Sequence, residues 1–162
     1  MRDSISEASL PEPSLRFAFE ASVALAPVHE LGTMDGMRKR IVPILGGAVT
    51  GPRLNGQVLP GGADWQGISA DLSVTRAFAH YWLQADDGAI ISVQNVGVRV
   101  ADPAIVERML AGETIAPGDY YFRTCPVFEV GEGPHDWLTR TLFICVGARL
   151  PDAVVIRFYE VL

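Results

Sequence analysis

The sequence is poor in the features that usually disclose a function. No Lys/Arg block exceeds Arg38-Lys39-Arg40, and the formal net charge is −6 with a pI near 5.0. The positive footprint of a nucleic-acid binder is therefore missing, and no nucleic-acid partner is expected. The longest apolar stretches, such as Leu142 to Ala148, are far too short to span a bilayer. Met1-Arg2-Asp3-Ser4-Ile5-Ser6-Glu7 lacks both the basic and the apolar region of a signal peptide. The expectation is a cytoplasmic protein with no membrane partner.

Cysteine and histidine are scarce as well. The two cysteines, Cys125 and Cys145, stand in separate apolar, strand-like runs, which leaves a zinc or thioredoxin-type motif without support. Both are read as small buried core residues. Of the three histidines, His29, His80 and His135, none pairs with another at metal-ligand spacing, so no metal site built from neighbouring residues is expected. Gly46-Gly47 and Gly61-Gly62 open no helix and match no phosphate-loop pattern, and no serine stands in G-x-S-x-G. No cofactor is expected.

What the chain does have is turn chemistry set in apolar sequence. Its 16 glycines and 11 prolines exceed the usual share without reaching low complexity, so they belong to turns, bends and bulges and disfavour a long-helix protein. With 49% apolar residues and a mean hydropathy of +0.22, a chain of this size supplies one hydrophobic core. Residues 1–14 mix Ser, Glu and Pro without hydrophobic period and read as a flexible N-terminal arm. Residues 15–162 read as a single domain.

Within that domain Leu15–Leu25 alternates as a half-buried strand. Val28 to Arg40 reads as a long exposed connection, and Gly46 to Trp65 as a strand pattern broken by glycine, as at a bulge or barrel corner. Further strands are predicted over Gly67–Gln84, Ala89–Val100, Tyr120–Val130, Trp137–Arg149 and Val154–Val161, with Asp87-Gly88 as a hairpin turn. One short helix is predicted around 102–111, with Asp102 as N-cap, Pro103 at the first position and Gly112 as its stop. Strands joined by short connections, with one helix, predict a mainly β fold: a single antiparallel β-barrel, wide enough to fill itself or hold one small ligand.

Specific motifs point the same way. Val58-Leu59-Pro60-Gly61-Gly62-Ala63-Asp64-Trp65-Gln66 resembles the bacterial and fungal family named domain of unknown function 3237. So do Arg40-Ile41-Val42-Pro43-Ile44, Gly51-Pro52-Arg53-Leu54-Asn55-Gly56, Tyr120-Tyr121-Phe122-Arg123-Thr124 and Phe143-Ile144-Cys145-Val146-Gly147, in one collinear order. The resemblance implies a small antiparallel barrel, lipocalin-like or allene-oxide-cyclase-like in outline. It implies almost nothing about biochemistry. The chain departs from the family pattern at Trp137-Leu138-Thr139 and Phe128-Glu129-Val130-Gly131, where the family has Trp-Leu-Asn and Phe-Glu-Thr-Gly.

Two residues are the catalytic candidates. Asp64, presented after the Pro-Gly-Gly bend beside Trp65 and Gln66, is placed to act as general acid or base if it lies in an apolar cavity that raises its pKa. The plainer reading has it capping the turn. Arg123 sits among apolar neighbours, shares a strand face with Tyr121 and Glu129, and needs a carboxylate or an anionic ligand. It is the candidate anion stabiliser, against a structural ion pair. Trp65, Gln66, Arg53, Tyr121, Glu129 and Trp137 are the candidate ligand-binding residues.

Three functions follow. The first is an isomerase, cyclase or lyase without a cofactor, using Asp64 and Arg123 on a small apolar organic molecule. The second is a lipocalin-like carrier or sensor that does no chemistry. The third is an assembly role, with a second copy of the chain as partner in a homodimer.

Overall fold

The computed structural model describes residues 10–162. Most of the expected arm lies outside the described residues. At its described end, Ser14 exchanges backbone hydrogen bonds with Leu162, at 3.2 and 2.8 Å.

The chain forms strands β1 (Leu15–Leu25), β2 (His29–Met34), β3 (Met37–Thr50), β4 (Gly56–Val58), β5 (Ala63–Ser69), β6 (Val74–Ala85) and β7 (Ile90–Val100). Helix α1 (Pro103–Leu110) follows, then β8 (Tyr121–Val130), β9 (Phe143–Arg149) and β10 (Ala153–Val161). Neighbours run β1-β10-β9-β8-β7-β6, all antiparallel. Strand β6 then pairs with both β4 and β5, both pair with β3, and β3 returns to β1. With β4 and β5 counted as one interrupted stave, the wall is a closed eight-stranded antiparallel barrel. Among the described residues no helix is long and apolar enough to cross a membrane.

Closure dictates one of the glycines. Val23 of β1 lies opposite Gly47 of β3, and a Cβ on Gly47 would come within 1.9 Å of the Ser22 carbonyl oxygen. The interrupted stave is held by the backbone: the Ile44 N–H donates to the Gly62 carbonyl at 2.8 Å, and the Leu59 N–H to the Trp82 carbonyl at 3.0 Å. Helix α1 begins as its sequence predicts. The Asp102 carboxylate accepts from the Ala104 N–H at 2.9 Å, and Val106 and Met109 are buried beneath the helix.

Four expectations need correction. Val28 to Arg40 is a hairpin and not an open connection: β2 and β3 meet at Met34 and Met37 across Asp35-Gly36. Both turn residues have positive φ, 54° and 72°, as the tight two-residue turn requires. The strand expected over Gly67–Gln84 is broken between β5 and β6, where the Asp71 carboxylate accepts from Ser69 and Ser73 and folds the turn. Trp137 lies in a 3-10 turn, Asp136–Thr139, ahead of β9. Cys125 is exposed, because it faces outward on β8, whereas Cys145 is buried.

Half of the barrel interior is filled by aromatic side chains. Phe19 stacks on Phe158 with centroids 4.3 Å apart, and Phe128 meets Phe143 edge-on at 5.1 Å. At this pole Glu160, buried among apolar groups, accepts hydrogen bonds from Arg16 and Arg53. Burial alone would raise the Glu160 carboxyl, but the hydrogen bonds from Arg53 and Arg16 outweigh it and hold the group below its ordinary pKa. The sign follows: this stability is complete above the ordinary carboxylate pKa and is lost as pH falls through the lowered one. Glu160→Gln should therefore cost about 1.5–3 kcal/mol at neutral pH and flatten the acid limb of stability measured by urea unfolding. Unchanged stability at pH 7 would show that the cluster contributes nothing.

Candidate active site

The other half of the interior is not filled. A cavity of about 170 Å³ lies at the pole where β1, β7 and β9 end. Val42, Ile44, Ala77, Phe122 and Ile156 supply apolar wall, and the connection Leu25–Val28 and Pro151 border it. Into this space β3 contributes Arg40, β5 contributes Asp64 and Gln66, β7 contributes Asn95 and Arg99, and β9 contributes Arg149. Tyr81 and Thr124 complete the polar lining.

Strand alternation explains these placements. Arg40 shares the inward parity of the buried Val42 and Ile44, and Arg99 that of Ile91, Val93 and Asn95. Arg149 shares that of Phe143 and Cys145. Arg40 and Arg99 are only 5% and 4% exposed, an unusual state for a guanidinium without a paired carboxylate.

A chain of hydrogen bonds orients the one carboxylate of the lining. Arg40 Nε donates to Gln66 Oε1 at 2.9 Å, and Gln66 Nε2 donates to Asp64 Oδ2 at 2.6 Å. The Phe78 N–H donates to Asp64 Oδ1 at 3.0 Å. A guanidinium only donates, so the Gln66 carbonyl must face Arg40 and its amide must face Asp64. Both Asp64 oxygens thus act as acceptors and keep lone pairs for a ligand. Burial raises the Asp64 pKa, and the bonds from Gln66 and Phe78 oppose that rise.

The arginines are under electrostatic stress. Burial lowers the pKa of Arg40, and repulsion from Arg149 adds to it. For Arg99 burial, followed by repulsion from Arg149 and Arg40, brings the value down to about 10; Arg149 is lowered by burial. A group titrating near 10 is still charged at neutral pH. Arg99 reaches Thr75 Oγ1 at 3.3 Å and Arg149 reaches the Leu150 carbonyl at 2.7 Å. Arg99 Nε, Asn95 Oδ1 and Thr124 Oγ1 are buried without a hydrogen-bond partner. Three guanidiniums on one apolar-walled space favour negative charge on oxygen there, with the Asp64 carboxylate beside it. The Cys145 thiol, pushed up to about 12 by burial, is no nucleophile at neutral pH.

The structure separates the residues chosen from sequence. Asp64 and Gln66 line the cavity. Trp65, between them, points outward and is 45% exposed, as the period of two requires. Arg123 is on the outer face of β8: it donates to the Phe122 carbonyl at 2.9 Å and lies 5.0 Å from the Tyr121 ring centre. Tyr121 and Glu129 share that exposed face, because Phe122, Thr124 and Phe128 fill the inner one. Arg53 and Trp137 belong to the aromatic pole. The Arg53 guanidinium lies 3.9 Å from the Trp137 ring centre and pairs with Glu160. The alternation of β8 is as its sequence predicts, but its lumen side is the more apolar face and not the one carrying Arg123.

Arg40, Arg99 and Arg149 escaped the sequence reading. Their signal is an arginine near one end of a strand and in phase with its buried apolar residues: Arg40 with Val42 and Ile44, Arg99 with Ile91 and Val93, Arg149 with Phe143 and Cys145. The signal becomes specific only when pairing shows that three such strand ends meet at one pole. Among the described residues no three His, Cys, Asp or Glu side chains gather as metal ligands.

Fold and site together define the class: a closed antiparallel barrel with a cation-rich pocket at one pole. Residues 13–161 match the family model described as "Protein of unknown function (DUF3237)", and the chain belongs to that family. A UPF0311 protein of Rhodopseudomonas palustris is 38% identical over 152 residues, covering 94% of this chain and 99% of its own. The crystal structure of a conserved protein of unknown function from that organism superposes with a TM-score of 0.90 at 37% identity, over 94% of this chain and 100% of that one. A β-barrel-like protein from Acinetobacter baumannii gives a TM-score of 0.83 at 34% identity, over 96% and 100%. A hydroalkoxylation enzyme of Penicillium herquei is 36% identical over 81 residues, half of this chain and 53% of its own.

Two buried guanidiniums, Arg40 and Arg99, with the half-buried Arg149 beside them and one carboxylate, should lower the stability of the fold. Replacing Arg99 with Met, which keeps volume and removes charge, is expected to raise unfolding free energy by about 1–4 kcal/mol, seen as a higher Tm. A fall in Tm would mean that Arg99 has a structural counter-charge and is not held for a ligand.

Proposed function

We propose that this protein is an enzyme of the isomerase, cyclase or lyase kind that binds a small organic anion among Arg40, Arg99 and Arg149 and moves a proton with Asp64. The observation that carries this reading is the imbalance in the cavity, where three guanidiniums meet a single carboxylate. Protein interiors tolerate unpaired charge poorly, so the missing counter-charge is assigned to the ligand. The apolar walls suit a carbon skeleton, and the polar groups converge on one part of it, as in binding pockets generally.

The chemistry balances with groups of the chain alone. Asp64 takes a proton from carbon next to a carbonyl; the C–H pair moves into a new C=C and the carbonyl oxygen becomes an enolate oxygen. The guanidiniums stabilise that charge more in the transition state than in the ground state. Asp64 then returns the proton to a different atom, completing an isomerisation, or delivers it to a departing oxygen, completing an elimination. Gln66 and Arg40 hold Asp64 in one orientation throughout. The hydroalkoxylation enzyme among the relatives supports this class, since adding O–H across a double bond also needs a proton carried from oxygen to carbon.

The test is native mass spectrometry of the protein purified from its own source, followed by extraction and identification of what it carries. The expected result is a small organic acid, lost in Arg149→Ala and bound but unconverted in Asp64→Asn. In the wild type, turnover should rise with pH as Asp64 loses its proton, at an apparent pKa raised above that of an ordinary aspartate. A ligand recovered unchanged from wild type and Asp64→Asn alike makes the protein a carrier. A neutral ligand that survives Arg149→Ala overturns the anion reading.

A further inference from the structure

Charge balance and the placement of the arginines narrow the ligand further. Resting on the anion-binding reading above, we infer that the ligand is a dianion, a molecule of single-ring size with two separate acidic groups on an apolar skeleton. Against Arg40, Arg99 and Arg149 the cavity lining holds only Asp64. Glu30, opposite Arg40 across β2 and β3, also acts on Arg40 but from outside the lining; it is exposed and is taken by Arg38 at 2.5 and 3.0 Å. The Gln66 bridge couples Arg40 to Asp64, and Asp64 acts on Arg99 as well, so one carboxylate serves two guanidiniums and Arg149 has no acidic side chain in the lining. With three guanidiniums against Asp64, a monoanion would still leave the pocket one positive charge in excess, and a dianion would balance it.

Placement argues for two groups and not one doubly charged group. Around the wall, Arg40 stands on β3, Arg99 on β7 and Arg149 on β9. The staves β5 and β6 separate the first two on one side, β8 separates the second two, and β10 and β1 close the ring. The guanidiniums therefore approach from different sides. Each presents a fork of N–H donors, yet the chain engages one per arginine, through Gln66, Thr75 and Leu150. Among the described residues Arg99 Nε, a donor, is buried without a partner in hydrogen-bond geometry, and so is the Thr124 hydroxyl, which can donate; both residues are 3–4% exposed and line the cavity. Two carboxylates, or a carboxylate and an enolate or phenolate, match donors spread around a ring. Size sets the skeleton: an apolar cavity of about 150 Å³ accepts benzene, and this one is about 170 Å³.

The probes are the three benzenedicarboxylates, each compared with its own monoamide, which keeps the shape and removes one charge, and with its diamide. Binding is measured by calorimetry on the full chain at low salt, with phenyl phosphate as the dianion that carries both charges on one group. In at least one isomer the dicarboxylate should bind about tenfold or more tighter than its monoamide. That ratio should fall toward unity in Arg99→Gln and in Arg149→Gln, two variants so that a folding failure in one does not decide the matter. Equal binding of every dicarboxylate and its monoamide overturns the dianion and leaves the anion reading intact. Phenyl phosphate binding tighter than all three dicarboxylates overturns the separation of the charges. Binding of a diamide with none of the anions overturns this inference and the anion reading together.

Discussion

Strand β1 hydrogen-bonds along one edge to β10 and, over Glu20 to Leu25, along the other to β3. That second pairing converts a long sheet into a closed wall, with β2 left outside the ring on the edge of β3, and the cavity exists because of it. In an open sheet Arg40, Arg99 and Arg149 would be hydrated, and nothing would follow from their number. Inside a closed wall they lose water together and act on one another through a medium that screens weakly. Gly47 is where the wall meets itself most tightly, so the electrostatics of one pole rest on a backbone contact that carries no charge.

The two halves of the interior do opposite things to stability. The aromatic pole, with Phe19, Phe128, Phe143 and Phe158 in mutual contact, buries apolar surface and favours folding. The cavity half concentrates like charge and leaves polar atoms without partners, which opposes it. The fold tolerates the second because the first is built on the same strands: β8 carries Phe128 at one end and Phe122 and Thr124 at the other, and β9 runs from Phe143 to Arg149. A barrel strand is long enough to do both, and alternation keeps the outer face out of either.

The sequence made the scaffold legible and the site half legible. The bounds of β1, the cap of α1 and the barrel class follow from periodicity and turn residues. Asp87-Gly88 is read as a hairpin, yet Asp35-Gly36, with the same chemistry, is hidden because cations and His29-Glu30 make its surroundings look like a loop. The Asp64–Gln66 pair was visible because a bent, glycine-rich segment presents it. The arginines were not, since an arginine at the end of a strand looks solvated until the strands beside it are known. Arg123 drew attention by being central in its strand, and centrality along a strand carries no information about which side faces the lumen.

The mutual hydrogen bonds of Ser14 and Leu162 have a further meaning. They bring the two ends of the barrel strands side by side at the aromatic pole, next to Glu160, so the ring of strands is nearly a closed circuit in chain order as well as in space. A short linker across that seam would let the chain begin elsewhere, at Asp86-Asp87-Gly88 for example, with every strand keeping its neighbours. Glu160 is six steps along β10 from Val154 at the cavity, roughly 20 Å at the rise of a strand. Whatever is tethered at the seam therefore hangs clear of the pocket, and the protein can be immobilised or fused there with the cavity left free at the other end.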